Sequence, residues 1–281
     1  MNLLPFSMMN RLHLSDCVAG MRTLPDACVP LTVTSPPYDN LRKYGEHEFD
    51  FEAVARELWR VTIPAGVVVW VVQDAIVDGS ETGTTCRQQL FFSELGFRVH
   101  NRIVMVNDGN RWPGKTRYGG SHEIALVLSK DKPRTVNLLR DAPNKHGGRL
   151  KTFVRRNWEG KTELTGPKSY PVATWGVRGN VWVYARGFNQ SSKDKRDFAH
   201  PALMPEAMAE DLIVSFSKPG ELVLDPFAGA GTTAKMALLN HRRYLGFEIH
   251  EPYFEIAQRR LADARLKYRS SLESNMVCPK V

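Results

Sequence analysis

The sequence predicts an α/β fold, one open sheet with helices on both faces, interrupted by a loop-rich insertion. Three observations lead there. Short apolar strands alternate with helical stretches on both sides of residues 131–199. Near the C-terminal end an apolar strand enters a two-glycine turn and then a helix. Between these stretches the rhythm breaks and the charge balance changes. With 281 residues, 42% of them apolar, the chain can bury a sizeable core without disulfides or metals.

Taken in order, the expected strands are 31–34, 66–72, 99–106, 124–129, 222–224 and 243–247. Expected helices are 51–60, 86–95, 205–217, 232–239 and 252–267. The last opens on Glu251-Pro252, with proline in a tolerated first turn. The expected organisation is a first half of the main domain at 1–130 and an insertion at 131–199. The second half follows at 200–269, and a polar, frayed tail at 270–281.

Several classes are set aside. The longest apolar run, 65–72, is strand-length. No small-residue cleavage site follows the weak apolar start, so no secretory leader is expected. The four cysteines, Cys17, Cys28, Cys86 and Cys278, form no CxxC pair and have no histidines at zinc spacing, so no metal site is expected. Together these read as a reduced, cytoplasmic protein.

Net charge is +8, and it is uneven. Residues 131–199 hold 15 basic and 6 acidic residues, a net of +9, while the rest of the chain nets −1. The same segment carries Phe153, Trp158, Tyr170, Trp175, Trp182, Tyr184, Phe188 and Phe198. Cations interleaved with aromatics suit a phosphate backbone and exposed bases. A solvated basic face over core aromatics is the plainer alternative.

The glycine turn is the most structured motif. Leu222-Val223-Leu224-Asp225-Pro226-Phe227-Ala228-Gly229-Ala230-Gly231-Thr232-Thr233 takes a strand to an acid, through two glycines, into a helix. Glycines let the backbone approach a ligand closely. Helix-start amides near Thr232 can receive a carboxylate or phosphate. Glu248 ends the next strand, where an acid can accept ribose hydroxyls. Gly229-x-Gly231-x-x-Ala234 also fits a dinucleotide fingerprint. Asp225, however, suits an ammonium better than a pyrophosphate, which favours S-adenosylmethionine over NAD. A match to the P-loop pattern at 109–116 lacks a following helix, so an ATP site is not expected there.

Val33-Thr34-Ser35-Pro36-Pro37-Tyr38 follows another apolar strand. Two prolines remove two amide donors and stiffen the chain. The Ser35 hydroxyl and backbone carbonyls then face a ligand as acceptors. Such a corner suits an exocyclic amine, with Tyr38 stacking on its ring; an ordinary strand-to-loop turn is the plainer reading.

Ser35-Pro36-Pro37-Tyr38 together with Asp225-Pro226-Phe227-Ala228-Gly229-Ala230-Gly231 resembles the amino-methylating DNA methyltransferases, which act on cytosine N4 or adenine N6. The glycine turn comes 190 residues after Ser35, an order similar to the beta-class enzymes of bacterial and phage modification systems. The resemblance covers roughly residues 10–268 and implies a Rossmann-like class I fold. That fold is a mostly parallel seven-stranded sheet, circularly permuted in motif order, with residues 131–199 as the inserted target-recognition region.

The resemblance also implies site residues. Ser35, Pro36, Pro37 and Tyr38 would be catalytic. Asp16, beside Cys17, would receive the adenine amine of S-adenosylmethionine, with Ser15 standing where the family has glycine. Glu248 would take the ribose, Asp225 the ammonium and Thr232 the carboxylate. Gly229 and Gly231 would form the turn. Phe227 and His200-Pro201-Ala202 would line the methionine side. The expected partner is double-stranded DNA with the target base flipped out, and RNA stays open as a substrate. A homodimer and a cognate restriction endonuclease are left open as further partners.

Cytosine N4 is preferred over adenine N6 because Ser35 stands first in the motif, an argument by analogy. No Pro-Cys dipeptide exists to support ring-carbon methylation, and Cys17 and Cys28 read as small core or turn residues. The opposing readings are a nucleic-acid-binding module with a decayed cofactor site and an NAD-linked oxidoreductase. Residues 39–44 are read as a loop over the flipped base, and His122-Glu123 as structural. Arg11, Arg111, Arg117, Arg155 and Arg156 are read as candidate phosphate contacts.

Overall fold

A computed structural model describes residues 8–37, 49–107, 115–151, 154–164, 170–185, 187, 191–192 and 203–277. Its main elements are β1 (Arg11–Leu14), α1 (Cys17–Arg22), β2 (Val29–Thr34), α2 (Phe51–Val61), β3 (Thr62–Val72), α3 (Thr84–Glu94), β4 (Arg98–Asn107), β5 (His122–Ser129), β6 (Val181–Tyr184), α4 (Glu206–Phe216), β7 (Leu222–Asp225), α5 (Thr232–Leu239), β8 (Arg243–Glu248) and α6 (Glu251–Val277). Among the described residues no helix is long and apolar enough to cross a membrane.

Local chemistry accounts for the boundaries. Helix α2 starts where Asp50 accepts the Ala53 N–H at 3.0 Å, and it buries Val54, Ala55, Leu58 and Val61 on one stripe. It stops at Thr62, whose backbone turns extended and whose hydroxyl donates to the Leu58 carbonyl at 2.6 Å. Residues 66–72 of β3 are apolar throughout and are covered on both faces, as an interior strand requires. Trp70 packs against Phe49, Phe51, Phe92 and Phe227, and its indole N–H donates to Gln88 Oε1 at 2.8 Å.

The sheet runs β1-β8-β7-β2-β3-β5-β4-β6. Within this sheet every described ladder is parallel except the two made by β5. The permuted, mostly parallel sheet is as expected, with an eighth strand added at its edge. That strand, β6, lies inside the 131–199 segment and pairs with β4. From β7 the chain moves outward to β8, and from β2 it moves the other way to β3. Strands β7 and β2 are neighbours, so the topological switch point lies between them.

The chain divides into two compact units, residues 1–137 with 180–281, and residues 138–179. The second unit consists of antiparallel ribbons nested in sequence. Ala142–Pro143 pairs with Trp175–Gly176, Leu150–Lys151 with Tyr170–Pro171, and Val154–Arg156 with Thr162–Leu164. The expected frayed tail is instead helical as far as Val277. No proline or glycine interrupts the chain between Pro252 and Pro279, so nothing in the sequence stops α6 at Arg269.

Buried charge ties the helices on one side of β7 together. Glu206 of α4 accepts from Lys235 of α5 at 2.5 Å and from Arg260 of α6 at 2.6 Å. Arg260 is 4% exposed and also donates to the Ala230 carbonyl at 2.7 Å and Thr232 Oγ1 at 2.9 Å. Burial pushes the Glu206 carboxyl up, but the Lys235 and Arg260 hydrogen bonds and charges outweigh it, so it sits below its ordinary range. We expect Glu206→Ala, which strands a buried guanidinium and an ammonium, to cost about 3–5 kcal/mol of stability in chemical denaturation. A loss under about 1 kcal/mol would mean that the cluster holds nothing.

Candidate active site

The site forms along the C-terminal ends of four adjacent strands. In sheet order β1 leads to Asp16, β8 ends at Glu248, β7 at Asp225, and β2 leads to Ser35. Parallel strands make this row possible, because their C-terminal ends share one edge. Three strand spacings, about 14 Å, separate its two ends.

At the centre the two motifs meet. Strands β7 and β2 pair in parallel, Val223 beside Leu31 and Leu224 beside Thr32. One step further on, the Thr34 hydroxyl donates to Asp225 Oδ1 at 2.6 Å. The Thr233 hydroxyl, in the first turn of α5, donates to the Val33 carbonyl at 3.3 Å. The proline corner and the glycine turn are therefore stitched together by side chains from both.

Asp225 is 5% exposed, and its Oδ1 also accepts the Phe227 N–H at 3.1 Å. Burial pushes its carboxyl up to about 6, against hydrogen bonds from Thr34 and the Phe227 N–H, while Glu248 adds to the rise. Among the described residues no lysine, arginine or histidine pairs with it. A buried carboxylate without a cation is costly, and a ligand's ammonium would relieve it.

The turn after Asp225 needs its glycines. Gly229 has φ +51° and Gly231 φ +73°, both left-handed. A Cβ on Gly231 would also stand 2.9 Å from Ala257 Cβ of α6. No side chain caps α5, so its first amides stay open to an anion. Thr232 is buried with its hydroxyl against Arg260.

Glu248 reaches over the turn. Its Oε2 accepts the Gly229 N–H at 2.7 Å and its Oε1 the His250 N–H at 2.8 Å. Burial pushes its carboxyl up, partly offset by those amides. The Glu248 carbonyl accepts from the Ser15 N–H at 2.9 Å, which aligns Asp16 beside it. Asp16 caps α1 through the Ala19 N–H at 2.8 Å and remains exposed. Cys17 points into the core, its thiol pushed up to about 12 by burial. Phe227 sits half-buried against Phe49 and Trp70.

Ser35 and Pro37 are half-buried and Pro36 is buried at the end of β2. Tyr38, the 39–44 loop, Arg111 and His200-Pro201-Ala202 lie outside the described residues. After Gly114 no helix forms, and β5 begins at His122, so the P-loop pattern has no helix N-terminus to hold a phosphate. Arg117 donates to the Gly79 carbonyl and lies 3.7 Å from Glu81. Glu123 is buried at the start of β5 while His122 is exposed.

A permuted Rossmann-like sheet with an acid and glycine turn at its switch point defines a class I methyltransferase domain. Comparison with known proteins agrees. A DNA methylase family model matches residues 29–259. Orphan methyltransferase M.BamHII of Bacillus amyloliquefaciens is 47% identical over 238 residues, 84% of this chain and 89% of that protein. The DNA adenine methyltransferase YhdJ of Escherichia coli K12 is 28% identical, over 88% of this chain and 80% of its own length. TTHA0409 of Thermus thermophilus, solved complexed with S-adenosyl-L-methionine, superposes with a TM-score of 0.59 at 26% identity, covering 90% of this chain and 93% of that one. The chain belongs to the DNA methylase family, the amino-methylating N4/N6 type.

Sequence reading passed over Thr34, Thr233 and Arg260, which hold the site together. A threonine ending an otherwise apolar buried strand was the available signal for Thr34. We expect Thr34→Val, which removes a donor from a buried carboxylate, to destabilise the fold by about 1–3 kcal/mol at pH 7. The Asp225 carboxyl should titrate above about 6, as followed by carbon NMR. Unchanged titration would mean that the hydroxyl does not face Asp225 in solution.

Proposed function

We propose that the chain transfers the methyl group of S-adenosyl-L-methionine to the exocyclic N4 amine of cytosine flipped out of double-stranded DNA. The observation that carries this reading is the junction of β2 and β7, with Thr34 bonded to Asp225. It supports the reading because a corner at Ser35 that accepts an amine would then lie beside a turn suited to an amino-acid-bearing nucleoside.

The residues present fit that donor. Asp225 is a buried carboxylate in need of a cation, and its partner would be the ammonium. The uncapped start of α5 at Thr232 would receive the carboxylate. Glu248 would hold the ribose and Asp16 the adenine amine, one and two strands away. Gly229 and Gly231 keep side chains out of the turn, while Phe227 and His200-Pro201-Ala202 would line the pocket; Cys17, turned into the core, would not. When bound, the donor supplies a methyl group on a positively charged sulfur, a leaving group that calls for no metal or covalent enzyme intermediate.

The difficulty is the nucleophile, whose lone pair is delocalised into the base. Ser35 Oγ and the Pro36 carbonyl would accept its two N–H bonds, which favours a pyramidal nitrogen aimed at the methyl. Because Pro36 and Pro37 carry no amide hydrogen, the corner presents acceptors, and fixed acceptor dipoles stabilise the positive charge that grows on nitrogen. Tyr38 would stack on the flipped base and offset part of the cost of unstacking, about 1–3 kcal/mol. The basic 131–199 segment would read the target site. Adenine N6 is the second reading: the same acceptors serve either amine, and YhdJ, at 28% identity, is an adenine methyltransferase.

Nucleoside mass spectrometry on DNA from cells expressing the chain tests this directly. We expect N4-methylcytosine, and we expect Ser35→Ala to lower it by about 10²-fold while donor binding persists. N6-methyladenine alone would overturn the cytosine assignment, and no methylated base at all would overturn the reading. A pH profile tests the ammonium contact. Asp225 gains its proton as pH falls through about 6, so calorimetric donor affinity should weaken about tenfold from pH 7 to pH 5. Asp225→Asn should bind weakly without that dependence; a flat wild-type profile would remove Asp225 from ammonium binding.

A further inference from the structure

The ribbon Val154–Arg156 with Thr162–Leu164 closes through Asn157-Trp158-Glu159-Gly160. This turn is complete in itself. The Gly160 N–H donates to the Asn157 carbonyl at 3.0 Å, and the Asn157 N–H to the Lys161 carbonyl at 2.9 Å. The Lys161 N–H donates to Asn157 Oδ1 at 3.0 Å, and Asn157 Nδ2 to Glu163 Oε1 at 2.7 Å. Gly160 has φ +81°, the left-handed position that a three-residue hairpin loop assigns to glycine. Asparagine first and glycine fourth are the residues such a turn demands, whereas its second position accepts almost any residue.

At that permissive position stands Trp158, 93% exposed. A large apolar ring is held in water on a rigid, hydrogen-bonded tip, where a lysine or serine would serve the turn equally well. Beside it, Arg155 and Arg156 are exposed, and among the described residues neither guanidinium has a hydrogen-bond or salt-bridge partner. Lys161 lies 3.5 Å from Glu159 at the surface. The whole 138–179 unit holds nine basic and three acidic residues, a net of +6. Charge complementarity therefore selects a polyanion as the occupant, and the aromatic tip selects one with stackable rings.

We propose that this hairpin is a DNA-contacting element, Trp158 wedging into a base step of duplex DNA to stack on the base it unstacks while Arg155 and Arg156 neutralise flanking phosphates. The inference rests on the reading of the basic segment as the part that meets DNA. It adds a stacking residue outside the methyl-transfer machinery, on a turn preorganised to present it. A preformed tip loses little conformational freedom on binding, which raises the return from a single aromatic contact.

The test uses the full chain with plasmid DNA, and measures binding across a salt series alongside methylation kinetics. W158A should weaken binding by about tenfold or more and raise KM for DNA, with its salt slope unchanged. W158F should keep most of the affinity. R155A/R156A should lower the slope of log K against log salt by about 2. Thermal stability of W158A should match wild type, because the ring is exposed. W158A binding plasmid like wild type would overturn the proposal while leaving methyl transfer untouched. A fall in Tm, or a dimer dissociating without change in DNA affinity, would overturn it too, by assigning the ring to the protein's own packing or to a second copy. Methylation absent from wild type, with the binding losses intact, would instead count against the methyltransferase reading and leave the hairpin assignment standing.

Discussion

The structure depends on a parallel pairing at the centre of the sheet, where β2 lies against β7. Two motifs 190 residues apart in sequence become neighbours through that ladder and the side-chain bonds beside it. Closing so long a loop is costly, but the cost grows only slowly with length, so an insertion of this size is tolerated between the two halves. The pairing also decides where ligands go. The strand order departs in opposite directions from β7 and β2, and in open α/β sheets ligands bind at the strand ends where it does so.

The electrostatics of the junction follow from burial. Asp225 is removed from water and no described cation compensates it, so its carboxyl rises despite its hydrogen bonds. Those bonds come from both sides of the junction, from the Thr34 hydroxyl on one strand and from the Phe227 N–H past the other. The same carboxylate thus joins the two halves and presents negative charge at the site. The Glu206 cluster acts at a second level. It holds α5 against α4 and α6, and through Arg260 it touches the Ala230 carbonyl and Thr232, within the glycine turn itself. Charge distant from Asp225 thereby fixes the backbone of the turn.

Much of this was legible in the sequence, for physical reasons. The strand before the glycine turn and helix α5 follow from an apolar run, two glycines and a helical stretch, and α5 falls on the expected residues 232–239. Strand β2 is legible for the same reason as β3, both being apolar runs that end in turn-forming residues. Strand β1 was not, because Arg11-Leu12-His13-Leu14 is too short for its alternation to stand out, and it becomes a strand only by pairing with β8. Strand β6 hid inside a segment dominated by charge and glycine. Of the site, the acids and glycines were visible as residue types at strand ends. The clamp between Thr34 and Asp225 was not, since a hydrogen bond across 191 positions leaves no local pattern. The tip at Trp158 was visible only as an aromatic among cations; its exposure is a property of the folded turn.

The central claim is that one cavity holds both the methyl donor and the amine-accepting corner. A crystal structure of the chain with S-adenosyl-L-methionine tests it most directly. The account predicts density for the donor along the ends of β1, β8 and β7, its methyl group facing Ser35 and Pro36. Donor bound elsewhere, or bound there with the methyl turned away from that corner, would contradict it.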